Sequence, residues 1–430
     1  MPNSRLGLLG GKPVSSTPWP ITNTIGEEEK RAVQEVLDSG NLSGFRAAAG
    51  PDFLGGPRVR QLESAWAEFF GVKHAISFNS LTSGLFAAMG AIGVGPGDEV
   101  IVSPFTMVAS AICPLIYGGI PVFADIDLAT YCLDPESVEA RITSRTRAII
   151  VVHLFGCPAE MDRIMAIAKK YDLTVIEDCA QAPAAKYKRK YVGTIGSIGG
   201  FSLNYHKTIH SGEGGVLVTD DDELALRLQL IRNHGEASVE ELKVTQLVNT
   251  FGGNYRMTEV EAAIAHEQLQ KLDWLTEARV HLASYLDEHL ADLPGITAQK
   301  LADSESKHVY YFYPMRYDEE VCGLSRETFV RAIRAEGIEL RQGYVRPIYW
   351  EPLFQKKIAF DRGFPFVSEW YDGEINYEKG LCPVAEAAHE RELIFGGFCR
   401  WPLTEVHMDE VVQAFKKVVK YRSELMEVAH

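Results

Sequence analysis

The seven cysteines of this 430-residue chain include no Cys-x-x-Cys pair; they fall singly at Cys113, Cys132, Cys157, Cys179, Cys322, Cys382 and Cys399. An odd, dispersed set excludes the usual zinc frameworks and a disulfide scaffold, and reads as reduced thiols. No run approaches the roughly 18–20 apolar residues that a membrane-spanning helix needs. The opening Met1-Pro2-Asn3-Ser4-Arg5-Leu6-Gly7 lacks the apolar segment and cleavage site of a secretion signal. A cytoplasmic location is the expectation. Basic residues are also short: 43 Lys and Arg stand against 58 Asp and Glu, a net charge of −15. That balance argues against nucleic acid, which needs basic surface, but not against a small phosphate-bearing ligand in a locally positive pocket. Internal repeats and low-complexity tracts are absent.

What is present is an ordinary soluble composition, 46 % hydrophobic and 23 % charged, in a chain too long for one core. Residues 1–26, rich in Gly, Pro and Thr, read as an irregular arm. A helix over 27–38 follows, with three glutamates in its first turn and Ser39-Gly40 as its stop. Seven strand candidates then run to residue 219: 74–79, 99–103, 121–124, 148–154, 174–177, 200–203 and 215–219. Helical segments at 59–70, 81–92, 108–117, 137–142 and 161–171 separate most of them. Continuous β-branched runs bounded by helices predict an α/β fold with a mostly parallel sheet covered on both faces. One long helix is expected over 258–290, a strand over 309–315, and helices over 326–336 and 408–428. The expected division is an arm (1–26), a large domain (27–285) and a small α+β domain (286–430). Residues 343–380 form a long aromatic stretch with no clear period, which is the mark of a functional or mobile loop. Its aromatics and Arg346 suit either a sugar ring and a donor carboxylate or plain domain packing.

The strongest local signal is Gly200-Phe201-Ser202-Leu203-Asn204-Tyr205-His206-Lys207, followed by Ser211-Gly212-Glu213-Gly214-Gly215. A lysine between a strand and a glycine-rich turn can supply the amine that an aldehyde cofactor requires, and a serine five residues earlier can hold a phosphate. It can equally be a surface lysine. Asp178, ending the apolar strand Val175-Ile176-Glu177, sits where open α/β sheets collect ligands, and a carboxylate there can pair with a pyridine nitrogen. A helix-capping aspartate is the alternative. Asn79-Ser80-Leu81-Thr82-Ser83-Gly84-Leu85 runs from a strand end into a helix whose first N–H groups suit a phosphate, or else is an ordinary Ser/Thr cap. Gly252-Gly253-Asn254-Tyr255-Arg256-Met257-Thr258 precedes the long helix and reads by itself as a capped surface loop. His153, His206, His210 and His234 lack metal-ligand spacing.

Taken together and in order, these segments resemble the DegT/DnrJ/EryC1/StrS family of sugar and cyclitol aminotransferases. The resemblance runs from about Gly10 to the carboxyl terminus, and includes Gly93-Val94-Gly95-Pro96-Gly97-Asp98-Glu99-Val100-Ile101-Val102 and Ile149-Ile150-Val151-Val152-His153-Leu154-Phe155-Gly156. It implies the aspartate aminotransferase-like fold (type I) and pyridoxal 5′-phosphate (PLP) as cofactor. Lys207 is then the catalytic residue, binding the cofactor as a Schiff base and later shuttling a proton. Asp178 pairs with the pyridine nitrogen, Gln181 contacts the ring or its phenolic oxygen, and Thr82, Ser83 and Ser202 hold the phosphate. Asn254 reaches the phosphate of a partner subunit, which implies a homodimer with shared active sites. Two positions depart from the family pattern. Leu81 stands where the family has Gly, and Met107 where it places an aromatic ring over the cofactor. Phe105 is an alternative for the latter role.

The opening Gly10-Gly11-Lys12-Pro13-Val14 with Pro18-Trp19-Pro20, and Cys382-Pro383-Val384-Ala385-Glu386, are similar to the branch that aminates scyllo-inosose or makes aminohydroxybenzoate. The implied reaction is ping-pong transamination from L-glutamine or L-glutamate to a ketone on a sugar or cyclitol. A PLP-dependent dehydratase or aromatase is the runner-up, marked by turnover without an amino donor; the family's dehydrating subgroup carries histidine in place of lysine, so Lys207 disfavours it. A non-catalytic PLP-binding regulatory protein is the alternative of another class. A dinucleotide-binding reading fails because Gly93–Gly97 precedes a strand instead of following one.

Overall fold

A computed structural model describes residues 5–426. Seven strands form the principal sheet: β1 (His74–Phe78), β2 (Glu99–Val102), β3 (Ile120–Phe123), β4 (Thr146–Val152), β5 (Thr174–Asp178), β8 (Ile198–Ser202) and β9 (Gly215–Thr219). A two-residue hairpin, β6 (Lys186–Tyr187) and β7 (Lys190–Tyr191), falls between β5 and β8. The sheet order is β1-β9-β8-β5-β4-β2-β3, antiparallel only at the two ladders of β9. Six strands therefore share one direction, and their carboxyl ends lie along one edge. Helices α1 (Glu27–Ser39), α2 (Pro57–Phe70), α3 (Leu81–Ala91), α4 (Ala109–Ile112), α5 (Pro135–Ala140), α6 (Met161–Tyr171), α7 (Asp222–Arg232) and α8 (Glu259–Leu269) belong to this part of the chain. The strand interiors are buried almost without exception, as continuous apolar runs under helices require.

The expected helix over 258–290 is two helices, α8 and α9 (Leu272–Leu290). No Gly or Pro marks the break, so the apolar period runs straight across it. Tertiary ties hold the joint: the Lys271 amine donates to Glu29 (2.8 Å) and to the Thr24 carbonyl (3.0 Å). The expected domain boundary at 285/286 falls inside α9. Leu272 and Leu275 pack into the core of the large sheet, whereas Leu282, Leu286 and Leu290 pack into a second core. That second core lies under an antiparallel sheet of β10 (Ile296–Ala298), β11 (Tyr313–Tyr317), β13 (Leu393–Gly396) and β12 (Arg341–Gln342), in that order.

The expected strand at 309–315 begins only at Tyr313. Its first residues run instead beside the large sheet: the Val309 and Tyr311 N–H groups donate to the Gly156 and Phe155 carbonyls (3.0 and 2.7 Å). The 108–117 helix turns to 3₁₀ geometry at Cys113, one residue before Pro114. The closing helix is Glu405–Lys420 with a short turn at Ser423–Met426; residues 427 and 428 of its expected span lie outside the described residues. The amino-terminal arm is irregular but anchored. Leu6 is fully buried, and Glu336 accepts from the Gly7 and Val14 N–H groups (2.8 and 3.1 Å). Residues 343–380 cover the open edge at β3, where Tyr377 donates to the Pro121 carbonyl (2.7 Å) and Tyr371 to Glu99 (2.8 Å).

Candidate active site

Because six strands run the same way, the segments that leave their carboxyl ends converge. Asn79–Ser83 follows β1, Met107 and Ser110 follow β2, Asp178 ends β5, and Ser202 and Lys207 follow β8. They meet in a cavity of about 180 Å³ whose walls include Ser80, Thr82, Met107, Asp178, Ser202 and Lys207. This is the position at which open α/β sheets bind ligands.

Lys207 is the centre of the cavity's chemistry. Burial pushes its amine from an ordinary value of 10.5 down to about 8, with the Asp178 carboxylate opposing the shift. The nitrogen lies 4.9 Å from the centre of the Tyr311 ring, which favours the protonated form at short range. Asp178 is 5 % exposed and fixed at both oxygens: Ser110 donates to one (2.7 Å), the Ala180 N–H to the other (3.0 Å). No helix follows Asp178, so the Ala180 bond closes a turn and the helix-cap alternative is not realised; the carboxylate stands on the cavity wall.

At the opposite wall, Ser80 caps α3 by accepting the Ser83 N–H (3.1 Å). The Ser83 hydroxyl donates to Asn79 Oδ1 (2.5 Å), so Ser83 is spent on the cap, and Ser80 and Thr82 line the cavity. The N–H groups of Leu81 and Thr82, at the first two positions of the helix, have no partner within it and carry its positive dipole end. Leu81 is accommodated by glycine: a Cβ on Gly200 would stand 2.7 Å from Leu81 Cδ1, and one on Gly215 2.5 Å from the Leu81 nitrogen. The departure at Leu81 thus packs against the strands beneath without closing the turn.

Met107, at 57 % exposure, lines the cavity, whereas Phe105 is fully buried against Tyr344. Of the two candidates for the ring-facing position, the geometry favours Met107. Gln181 lies one layer back. Its oxygen accepts the Phe155 N–H (2.7 Å) and its nitrogen donates to the Tyr344 hydroxyl (2.7 Å). Asn254 is exposed, with its carbonyl toward Asn79 Nδ2 (3.4 Å), and does not line the cavity of its own chain. His153, Glu177 and Cys179 cluster in the core, but the His153 nitrogens and both Glu177 oxygens already hold hydrogen bonds, three of them from the backbone N–H groups of Gly193, Ile195 and Gly196. The cluster is a structural network.

Sequence reasoning assigned no role to Ser110, Tyr311, or Asn204 with its Glu213 partner (2.9 Å); Tyr344 lies in the aromatic stretch 343–380 and holds Gln181. Asn204 Oδ1 is buried in the cavity wall without a partner. The rule that ligands gather beyond strand ends could have drawn attention to Ser110; nothing in the sequence marks Tyr311, which arrives from the second sheet region.

A phosphate-bearing aldehyde fits these residues. The cavity offers an amine of lowered basicity, a fixed buried carboxylate, hydroxyls and a helix amino terminus. Such a constellation on this fold defines a cofactor-dependent group-transfer enzyme. Residues 23–416 match the DegT/DnrJ/EryC1/StrS aminotransferase family, and the chain belongs to it. It is 35 % identical to the L-glutamine:scyllo-inosose aminotransferase of Streptomyces griseus over 97 % of this chain and 98 % of that one. Among solved structures it is similar to an aminotransferase from Psychrobacter cryohalolentis (33 % identity, TM-score 0.78, 94 % and 98 % covered). It is also similar to DesI determined with its TDP-sugar product (27 % identity, TM-score 0.80, 99 % and 98 % covered).

Proposed function

We propose that this chain is a PLP-dependent aminotransferase that moves an amino group from L-glutamine or L-glutamate to a ketone on a polyhydroxylated ring, an inosose ahead of a nucleotide-linked keto-sugar. The observation that carries the reading is the Lys207 amine, lowered to about 8 and sharing one cavity with the fixed carboxylate of Asp178 and the amino terminus of α3. When bound, the cofactor supplies an electron sink and a carrier for the amine between two half-reactions. The chain's own residues do the rest. Lys207 Nζ takes and returns protons, which an amine titrating near neutral pH does readily. Asp178, held by Ser110 and the Ala180 N–H, would keep the ring nitrogen of that cofactor protonated. Ser80, Thr82, Ser202 and the first N–H groups of α3 would hold the phosphate and fix the ring's position. Tyr311 limits the directions in which the lysine amine can swing.

The scyllo-inosose-acting relative matches across nearly the whole chain, which supports the cyclitol acceptor and glutamine as donor. The exposed Asn254 supports a homodimer in which each subunit reaches the other's phosphate site. Seven buried free cysteines suit a reducing cytoplasm. Incubation with PLP, L-glutamine and scyllo-inosose, followed by mass spectrometry, tests the reading: an aminocyclitol is expected. Consumption of the ketone without use of the donor would overturn it in favour of dehydration.

A further inference from the structure

A second cavity, of about 240 Å³, shares Lys207 and His206 with the first. Its other walls come from distant parts of the chain: Thr22 and Thr24 in the arm, His210 beyond the lysine, Arg279 on α9, and Arg400 with Trp401 after the last strand. Its charge is one-sided. Three cationic residues line it and no Asp or Glu does, in a chain whose net charge is −15. Among the described residues neither Arg279 nor Arg400 forms an ion pair.

The two arginines differ in what they have left to give. One Arg279 nitrogen is spent on the carbonyls of Tyr310, Tyr311 and Cys399 (3.1, 3.3 and 3.2 Å). Arg400 Nε is buried with no acceptor, and so is His210 Nδ1. The neighbouring hydroxyls do not serve them, since Thr22 donates to the Trp401 carbonyl (2.8 Å) and Thr24 to Gln268 (2.9 Å). Glu29, the carboxylate nearest in effect to His210, is already held by Lys271, Gln268 and the Gly26 N–H. A buried charged donor without a partner costs about 1–3 kcal/mol or more, and native proteins rarely leave one. One such atom, Arg400 Nε, with the unpartnered His210 Nδ1 in the same cationic cavity beside the reactive lysine, calls for an anion from outside the chain.

We propose that this cavity seats the carboxylate of the amino donor, with Arg400 Nε–H and His210 Nδ1–H as its hydrogen-bond donors. An α-amino acid carries its carboxylate one bond from the carbon that bears the amine, so the anion must lie close to Lys207, and the shared wall provides that. A guanidinium beside a neutral imidazole matches a planar carboxylate. The inference rests on the reading of Lys207 as the centre of amine transfer.

The test uses the full-length, PLP-loaded protein with two truncated analogues of L-glutamine: glutaramate, which lacks the amine, and 4-aminobutanamide, which lacks the carboxylate. Calorimetry is expected to show glutaramate binding to the unaltered protein, weakened roughly 10- to 100-fold in Arg400→Gln and partly retained in Arg400→Lys. In stopped-flow absorbance, Arg400→Gln should lower the rate with L-glutamine while sparing that with 4-aminobutanamide, so the preference for the carboxylate collapses. A PLP absorbance band and an unchanged melting curve report that the variants are folded. Equal glutaramate binding in all three proteins would overturn the proposal. So would loss of inorganic pyrophosphate binding in Arg400→Gln with glutaramate unaffected, which would make the cavity a phosphate seat. If no amino acid reacts with the unaltered protein, the reading of Lys207 fails, and the glutaramate arm still decides whether Arg400 holds a carboxylate.

Discussion

Replacing Lys207 by methionine should stabilise the cofactor-free protein near neutral pH. The amine is lowered from 10.5 to about 8 chiefly because its charged form is desolvated. A lysine whose folded value is depressed is penalised in the native state wherever both states are protonated. The penalty is thus complete below pH 8, shrinks between pH 8 and 10.5 as the folded protein releases a proton the unfolded chain keeps, and is gone above. The gap between those values corresponds to about 3 kcal/mol at neutral pH. Methionine has a similar length and no charge, so it removes the penalty while filling much the same space. Thermal melts of the two cofactor-free proteins at pH 7 and pH 10.5 measure this. The variant should melt higher at pH 7 by a few degrees, and the advantage should shrink toward zero at pH 10.5. A variant no more stable than the parent at pH 7, or a difference independent of pH, would refute the argument that burial sets this amine's basicity. Such a trade of stability for reactivity is the usual arrangement at functional sites.

Further outcomes follow from the same geometry. Ser110→Ala removes one of two anchors of the Asp178 carboxylate, and equilibrium dialysis should show PLP bound about tenfold more weakly, since hydrogen bonds to charged groups are worth roughly 1.5–3 kcal/mol. Gly200→Ala drives a methyl into Leu81 and Leu217 and should cost about 1–3 kcal/mol in urea melts; adding Leu81→Ala should recover much of it. Gln181→Ala leaves the Phe155 N–H and the Tyr344 hydroxyl unpaired at the seam between the two sheets, and should destabilise the protein by about 1–3 kcal/mol with little change in the cofactor's absorbance.

Much of this architecture is legible in the chain because parallel strands buried on both faces leave long β-branched runs. The strand 215–219 and the helix 161–171 are found at the expected residues. Misreadings cluster where a tertiary tie, and not a local signal, sets the structure. Nothing between Leu269 and Leu272 announces a break; Lys271 reaching Glu29 and Thr24 holds it. Residues 309–312 have strand-like composition, but the Val309 and Tyr311 N–H groups go to Gly156 and Phe155, which carries Tyr311 to Lys207. The same holds at the site. Lys207, Asp178, Thr82 and Ser202 lie on contiguous strand-to-loop segments and are visible in order. Ser110, Tyr311 and Arg400 matter through long-range contacts that no period or spacing encodes.

The most direct test of the central claim is the absorbance spectrum of the protein with PLP, before and after separate additions of L-glutamine and L-glutamate, with Lys207→Ala alongside. A yellow band that bleaches with one donor, and is reshaped or lost in the variant, is the predicted result and names the donor. Absence of the band, or a band indifferent to Lys207, would contradict the account.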